Sequence, residues 1–168
     1  MSPTAVLYVA QAIHGLAYGM LLFLVASGLT MIFGMMGILN IAHASFAMLS
    51  AYFCYQVLLM TGNFWVALLI APVVAGICGV LTERFLLRTV HKQGHLAELL
   101  ITVGIMIFIV EIVKLFWGTE SLVVKIPQSL SGLVNFAGLT YPIYRLFVIG
   151  LSIVVVGFMA LILSLIHI

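Results

Sequence analysis

The chain has 168 residues, 65% of them hydrophobic and only 6% charged, with six Lys or Arg against four acidic residues and no Asp. A water-soluble domain carries roughly 25% charged residues, and a net charge of +2 is too small for a phosphate-binding footprint, so a soluble fold and a nucleic-acid partner are both disfavoured. No Asp, Glu, Lys or Arg precedes Glu83; an ionised side chain at the bilayer centre costs about 2.5 to 3.5 kcal/mol on insertion scales, so this stretch reads as membrane-embedded.

A span needs about 20 apolar residues, and cutting the chain at its Gly, Asn, Pro and charged breaks gives five such segments. The expected fold is an all-α polytopic transmembrane helical bundle, because isolated strands cannot satisfy their backbone in lipid. The first span runs from about Val6 to Phe33. No Lys or Arg precedes it and it is too long for an h-region, so a cleaved signal peptide does not account for it. Within it Gly15-Leu-Ala-Tyr-Gly19 is a G-x-x-x-G element, which lets helix backbones approach closely. His14 reads as a side chain bonded to a neighbouring helix.

The break from Gly34 through Gly37 and Asn40 to His43 is either a turn at the membrane face or a helix interrupted within the bilayer. Asn40 and His43, spaced i, i+3, are each costly to bury without a partner. Capping of the broken backbone accounts for both residues, and contact with a substrate is the competing role. The second span is about Ala44 to Met60, and Thr61-Gly-Asn-Phe64 is a tight turn that leads to a third span, Trp65 to Leu87, antiparallel to the second. Ala71, Ala75 and Gly79 supply small residues for helix packing in that third span. Cys54 and Cys78 fall in apolar runs without metal or redox spacing and read as packing residues.

Glu83, Arg84 and Arg88 open the densest basic cluster, which continues through His91, Lys92 and His95. The positive-inside rule assigns the loop at 88–95 to the cytoplasm, with Glu83, Arg84 and Arg88 as an orientation anchor in which Arg84 and Arg88 favour the helix C-terminus and lipid phosphates. Lys114, Lys125 and Arg145 balance it on the other side in number but not in density. The fourth span is Leu96 to Trp117, with Glu111 and Lys114 paired at i, i+3. The polar connection 118–143, with Glu120, Lys125, Pro127, Gly132, Asn135 and Gly138, reads as periplasmic with a short β element near Leu122 to Ile126. A fifth span covers about 144–166. Parity then places the N-terminus outside. The chain stops without a flanking loop or charge, so it reads as a fragment; Leu163 to Ile168 resembles a read-through tail, and His167 is given no weight.

No phosphate-binding loop, nucleophile with an adjacent base, metal-ligand set or cofactor motif is present in the sequence, so catalysis is not expected here. Three segments together, GLTMIFGMMGILNIAHASFAMLSAY from Gly28 to Tyr52, ERFLLR from Glu83 to Arg88, and LITVGIMIFIVEIVKLFWG after it, resemble the permease family of branched-chain amino acid ABC importers. The likeness continues through Leu133 to Val148. The family usually reads Asn-Phe-Ala-His-Gly where this chain has Asn40-Ile41-Ala42-His43-Ala44, and usually has Pro where this chain has Thr89.

The resemblance implies a bacterial inner-membrane, multi-pass permease of about eight spans, of which this chain is the N-terminal part. It implies a homologous second permease subunit, two cytoplasmic ATP-binding subunits that use the ATP, a periplasmic substrate-binding protein and a lipid environment. Gly34, Gly37, Asn40 and His43 would line or support the pathway. The substrate would be a branched-chain amino acid, with urea or a short amide as the alternative within the family. A proton- or sodium-coupled carrier and a His-dependent membrane enzyme using His14, His43 and His91 are the rival functions from other classes.

Overall fold

The computed structural model describes residues 3–136 and 139–166. His167 and Gly138, both weighed above, lie outside them. Among the described residues five helices are long and apolar enough to cross a membrane. They are α1 (Pro3–Met36), α2 (His43–Thr61), α3 (Phe64–Gln93), α4 (His95–Trp117) and α5 (Ile143–Ile166). The fold is the all-α polytopic bundle expected from composition. A hairpin of β1 (Leu133–Phe136) and β2 (Leu139–Pro142) precedes α5. The chain divides into two compact units, Met1–Ser27 with Lys125–Ile168, and Gly28–Val124.

In the second unit, the helix ends fall where the backbone turns left-handed. Gly37, Gly62, Gly94 and Gly118 all have positive φ, between 64° and 98°, a conformation open to Gly at little cost. At Gly62 the backbone N–H closes α2 on the Leu58 carbonyl, and the Asn63 side chain then accepts from the Trp65 and Val66 N–H groups to start α3. Two residues thus reverse the chain, which makes α2 and α3 a helical hairpin. Asn63→Ala removes that cap and is expected to destabilise the hairpin by about 1 kcal/mol, measurable as an earlier unfolding midpoint in detergent micelles.

The α3 seam of this hairpin is built from Ala67, Ala71 and Ala75, all buried at intervals of four, the spacing at which small residues let helices close. At Gly15, Gly19 and Gly79, read for the same purpose, an added methyl would meet nothing within 4 Å among the described residues. Ala42, Leu49, Leu87, Ile105, Ile109 and Val113 form the core that joins α2, α3 and α4. Trp117, at the end of α4, closes it by donating its indole N–H to Gln56 at 3.2 Å and setting its ring against that of Tyr52 at a tilt of 49°.

The third helix departs from expectation at its end. Instead of a loop at 88–95, helical structure continues to Gln93 and breaks only at Gly94. Within it Glu83–Leu87 forms a π turn, in which the Arg88 N–H reaches the Glu83 carbonyl. The inserted residue shifts the helical register, so that Leu87 enters the core while Arg84 and Arg88 stay exposed.

In the first unit, the β element lies about ten residues later than the Leu122–Ile126 reading placed it. That stretch is irregular and mostly exposed, whereas Val134 pairs with Tyr141 and Asn135 with Thr140, the latter reinforced by the Thr140 hydroxyl donating to Asn135 Oδ1 at 2.6 Å. A β-rich sequence needs a partner strand to become a strand, and only the later segment has one. Tyr141 is 5% exposed and its hydroxyl lies 3.0 Å from His14 Nδ1. The partner of His14 is therefore a hairpin residue and not a neighbouring helix. Burial pushes the Tyr141 phenol above its ordinary pKa, which keeps it protonated beside the imidazole.

Candidate functional site

The connection from Gly37 to Ala42 is irregular yet packed: Ile38, Asn40 and Ala42 are buried. Gly37 ends α1 by returning its N–H to the Phe33 carbonyl. Asn40 Oδ1 accepts the Ala42 N–H at 3.0 Å, and the Asn40 carbonyl accepts from His43 N at 3.1 Å. Asn40 therefore shapes the turn just before α2 and is not itself on a helical turn with His43. This irregular backbone is both buried in protein and part of a cavity wall.

That cavity, about 620 Å³, lies between the end of α1, the first half of α2 and the middle of α3. Its wall is mostly apolar, from Ile32, Ile38 and Phe46 to Val80 and Leu87, with Asn40, His43, Ser50 and Glu83 as its polar points. Pro72, Ala75, Gly76 and Gly79 face it from α3, and Pro72 has no N–H to offer the Leu68 carbonyl. Of the site residues expected from sequence, Asn40, His43, Glu83, Ala75 and Gly79 meet here. Gly34, Gly37, Arg84 and Arg88 do not line it. Ser50 and Pro72 were not foreseen, because a single Ser or Pro in an apolar run carries no directional signal.

A second cavity of about 530 Å³ lies between α2, α3 and α4 and is lined by Phe46, Phe53, Phe108, Phe116 and other apolar residues. Its one hydroxyl, on Thr82, donates to the Cys78 carbonyl at 2.8 Å. With nothing polar left to orient a ligand, the first cavity is the better candidate site.

The largest polar feature missed in the sequence is Glu98. It sits in the first turn of α4, 2% exposed, with His91 Nδ1 bonded to Oε1 and His95 Nδ1 at 3.2 Å from Oε2. A carboxylate only accepts hydrogen bonds, so both imidazoles donate to it through Nδ1. Two residues of the basic cluster thus hold a buried carboxylate. The available signal was His95-x-x-Glu98 directly after a glycine. Among the described residues no group of three or more His, Cys, Asp or Glu could hold a metal ion. Glu111 and Lys114 pair as expected, at 2.7 Å and exposed, an arrangement worth little to stability.

A family model for the branched-chain amino acid transport system permease component matches residues 11–167. The chain belongs to this family. Among its relatives, the high-affinity branched-chain amino acid transport system permease protein LivH of Escherichia coli (strain K12) is 29% identical over 141 residues, covering 79% of this chain and 45% of that protein. LivH of Salmonella typhimurium is 28% identical over the same shares. BraD of Pseudomonas aeruginosa, also a high-affinity branched-chain amino acid transport system permease protein, is 29% identical over 134 residues, 74% of this chain and 43% of its own length. The permease chain thus spans less than half the length of these relatives. No solved structure matches it. Family and helices together make it a multi-pass membrane protein and a transport component.

Proposed function

We propose that this chain is a membrane-spanning subunit of an ATP-driven importer for branched-chain amino acids, and that the cavity bounded by Asn40, His43 and Glu83 is part of its translocation pathway. The family match over residues 11–167 carries this reading. The cavity supports it: a mostly apolar wall suits a hydrophobic side chain, and a few polar groups suit the charged end of an amino acid. A homologous second permease subunit, two ATP-binding subunits and a periplasmic binding protein complete the machine. The dense basic segment from Arg84 to Lys92 faces the cytoplasm, which puts the N-terminus outside the bacterial inner membrane.

The test is uptake of radiolabelled leucine in cells that carry the source locus with its neighbouring genes and lack other leucine carriers. Uptake should persist when a protonophore collapses the proton gradient at constant ATP and should stop when ATP is depleted. Uptake that follows the gradient would make the chain a secondary carrier. Excess urea or acetamide should not compete. His43→Ala should lower initial uptake severalfold at normal membrane abundance, the size expected for one lost hydrogen-bonding group; unchanged uptake would remove His43 from the pathway.

A further inference from the structure

We infer that Gly28 is the positioning residue for His43 and thereby sets the polar wall of the cavity; this rests on the reading of that cavity as a transport path. An ideal Cβ on Gly28 would lie 2.8 Å from His43 Nε2 and 3.2 Å from Cε1, both inside ordinary van der Waals contact. The edge of the imidazole is therefore seated on bare α1 backbone. The other glycines of these helices differ: at Gly15, Gly19, Gly34, Gly76 and Gly79 an added methyl would meet nothing within 4 Å.

His43 begins α2, and its backbone is fixed by the bond from its N–H to the Asn40 carbonyl. The atoms that a methyl at position 28 would strike are the far end of a side chain. Relief comes from rotation of the ring about its own torsions, away from α1, with both helices left in place. One of the cavity's few polar groups then changes position while the fold is retained. Ile32, one turn along α1 from Gly28, lines the same cavity, so the seat for the ring is continuous with its wall.

The experiment compares Gly28→Ala, His43→Ala and the double variant in the locus-expressed transporter. It reads leucine KM and Vmax, membrane abundance, and the rate at which diethylpyrocarbonate modifies His43 in native membranes, followed by mass spectrometry. Gly28→Ala should insert normally, raise KM by about 3- to 10-fold with little change in Vmax, and change the His43 modification rate. The double variant should match His43→Ala alone, because Gly28 acts through a ring no longer there. If the Gly28→Ala loss multiplies that of His43→Ala, Gly28 serves helix packing and the inference is overturned. It is overturned alone, with the cavity reading intact, if His43→Ala lowers uptake while Gly28→Ala changes neither KM nor His43 reactivity. If Gly28→Ala alters His43 reactivity while neither variant changes uptake, the positioning stands and the cavity reading fails.

Discussion

Glu98→Ala is expected to loosen the α3–α4 connection more than any other single polar substitution in the chain. The carboxylate is 2% exposed and joins His91, in the last turn of the α3 rod, to the first turn of α4. Hydrogen bonds to a charged group are worth about 1.5 to 3 kcal/mol. His91 and His95 are substantially exposed, so water can replace their lost partner, and the expected cost is about 2 kcal/mol and not the larger penalty of an orphaned buried charge. Glu98→Gln keeps one acceptor oxygen and should fall between alanine and the parent. Hydrogen exchange across Lys92 to Leu96, with unfolding in mixed micelles, would show this as faster exchange and an earlier midpoint. Parental exchange in Glu98→Ala would mean that the three side chains do not hold the connection.

Ala71→Leu should damage the fold by the opposite route. Ala71 is 1% exposed, between Ala67 at 0% and Ala75 at 7%, in a seam with no room for three more carbons. Overpacking of this kind costs about 1 to 3 kcal/mol. Because Ala75 and Gly76 also face the cavity, prising α3 from α2 should disturb the candidate site as well. Leu69→Ala is the control: Leu69 is 73% exposed within this chain, and its truncation should leave the unfolding midpoint nearly unchanged. Coincident midpoints for the two variants would contradict the small-residue seam.

Most of the helical architecture could be read from the sequence because its cause is local. The charge-free run before Glu83, and breaks at Gly62-Asn63 and Gly118, follow from the cost of charge in lipid and from the backbone freedom of glycine. Which side of each helix is buried could not be read in the same way, since helices apolar all round have no stripe to point inward. The G-x-x-x-G at Gly15 and Gly19 and the small residues of α3 therefore read alike in sequence, and the α3 seam within this chain is alanine-based. Asn40 and His43 were identifiable because a polar residue in an apolar break must be satisfied. Gly28 was not, since its importance lies in one contact across the α1–α2 connection. Glu98 was obscured by the basic residues around it: a charge cluster normally reads as solvated, and only the tertiary structure brings the Nδ1 atoms of His91 and His95 onto the buried carboxylate.

The most direct measurement is thiol labelling in the cavity. Ala47 lines it from α2; Ala47→Cys would be placed in a transporter whose Cys54 and Cys78 are replaced by Ala, with the partner subunits, binding protein and ATP present. A membrane-impermeant methanethiosulfonate reagent should label Cys at position 47, and leucine should slow the labelling while alanine amide and urea do not. A position that stays unlabelled, or labels at one rate with and without leucine while uptake proceeds normally, would contradict the assignment of this cavity to the pathway.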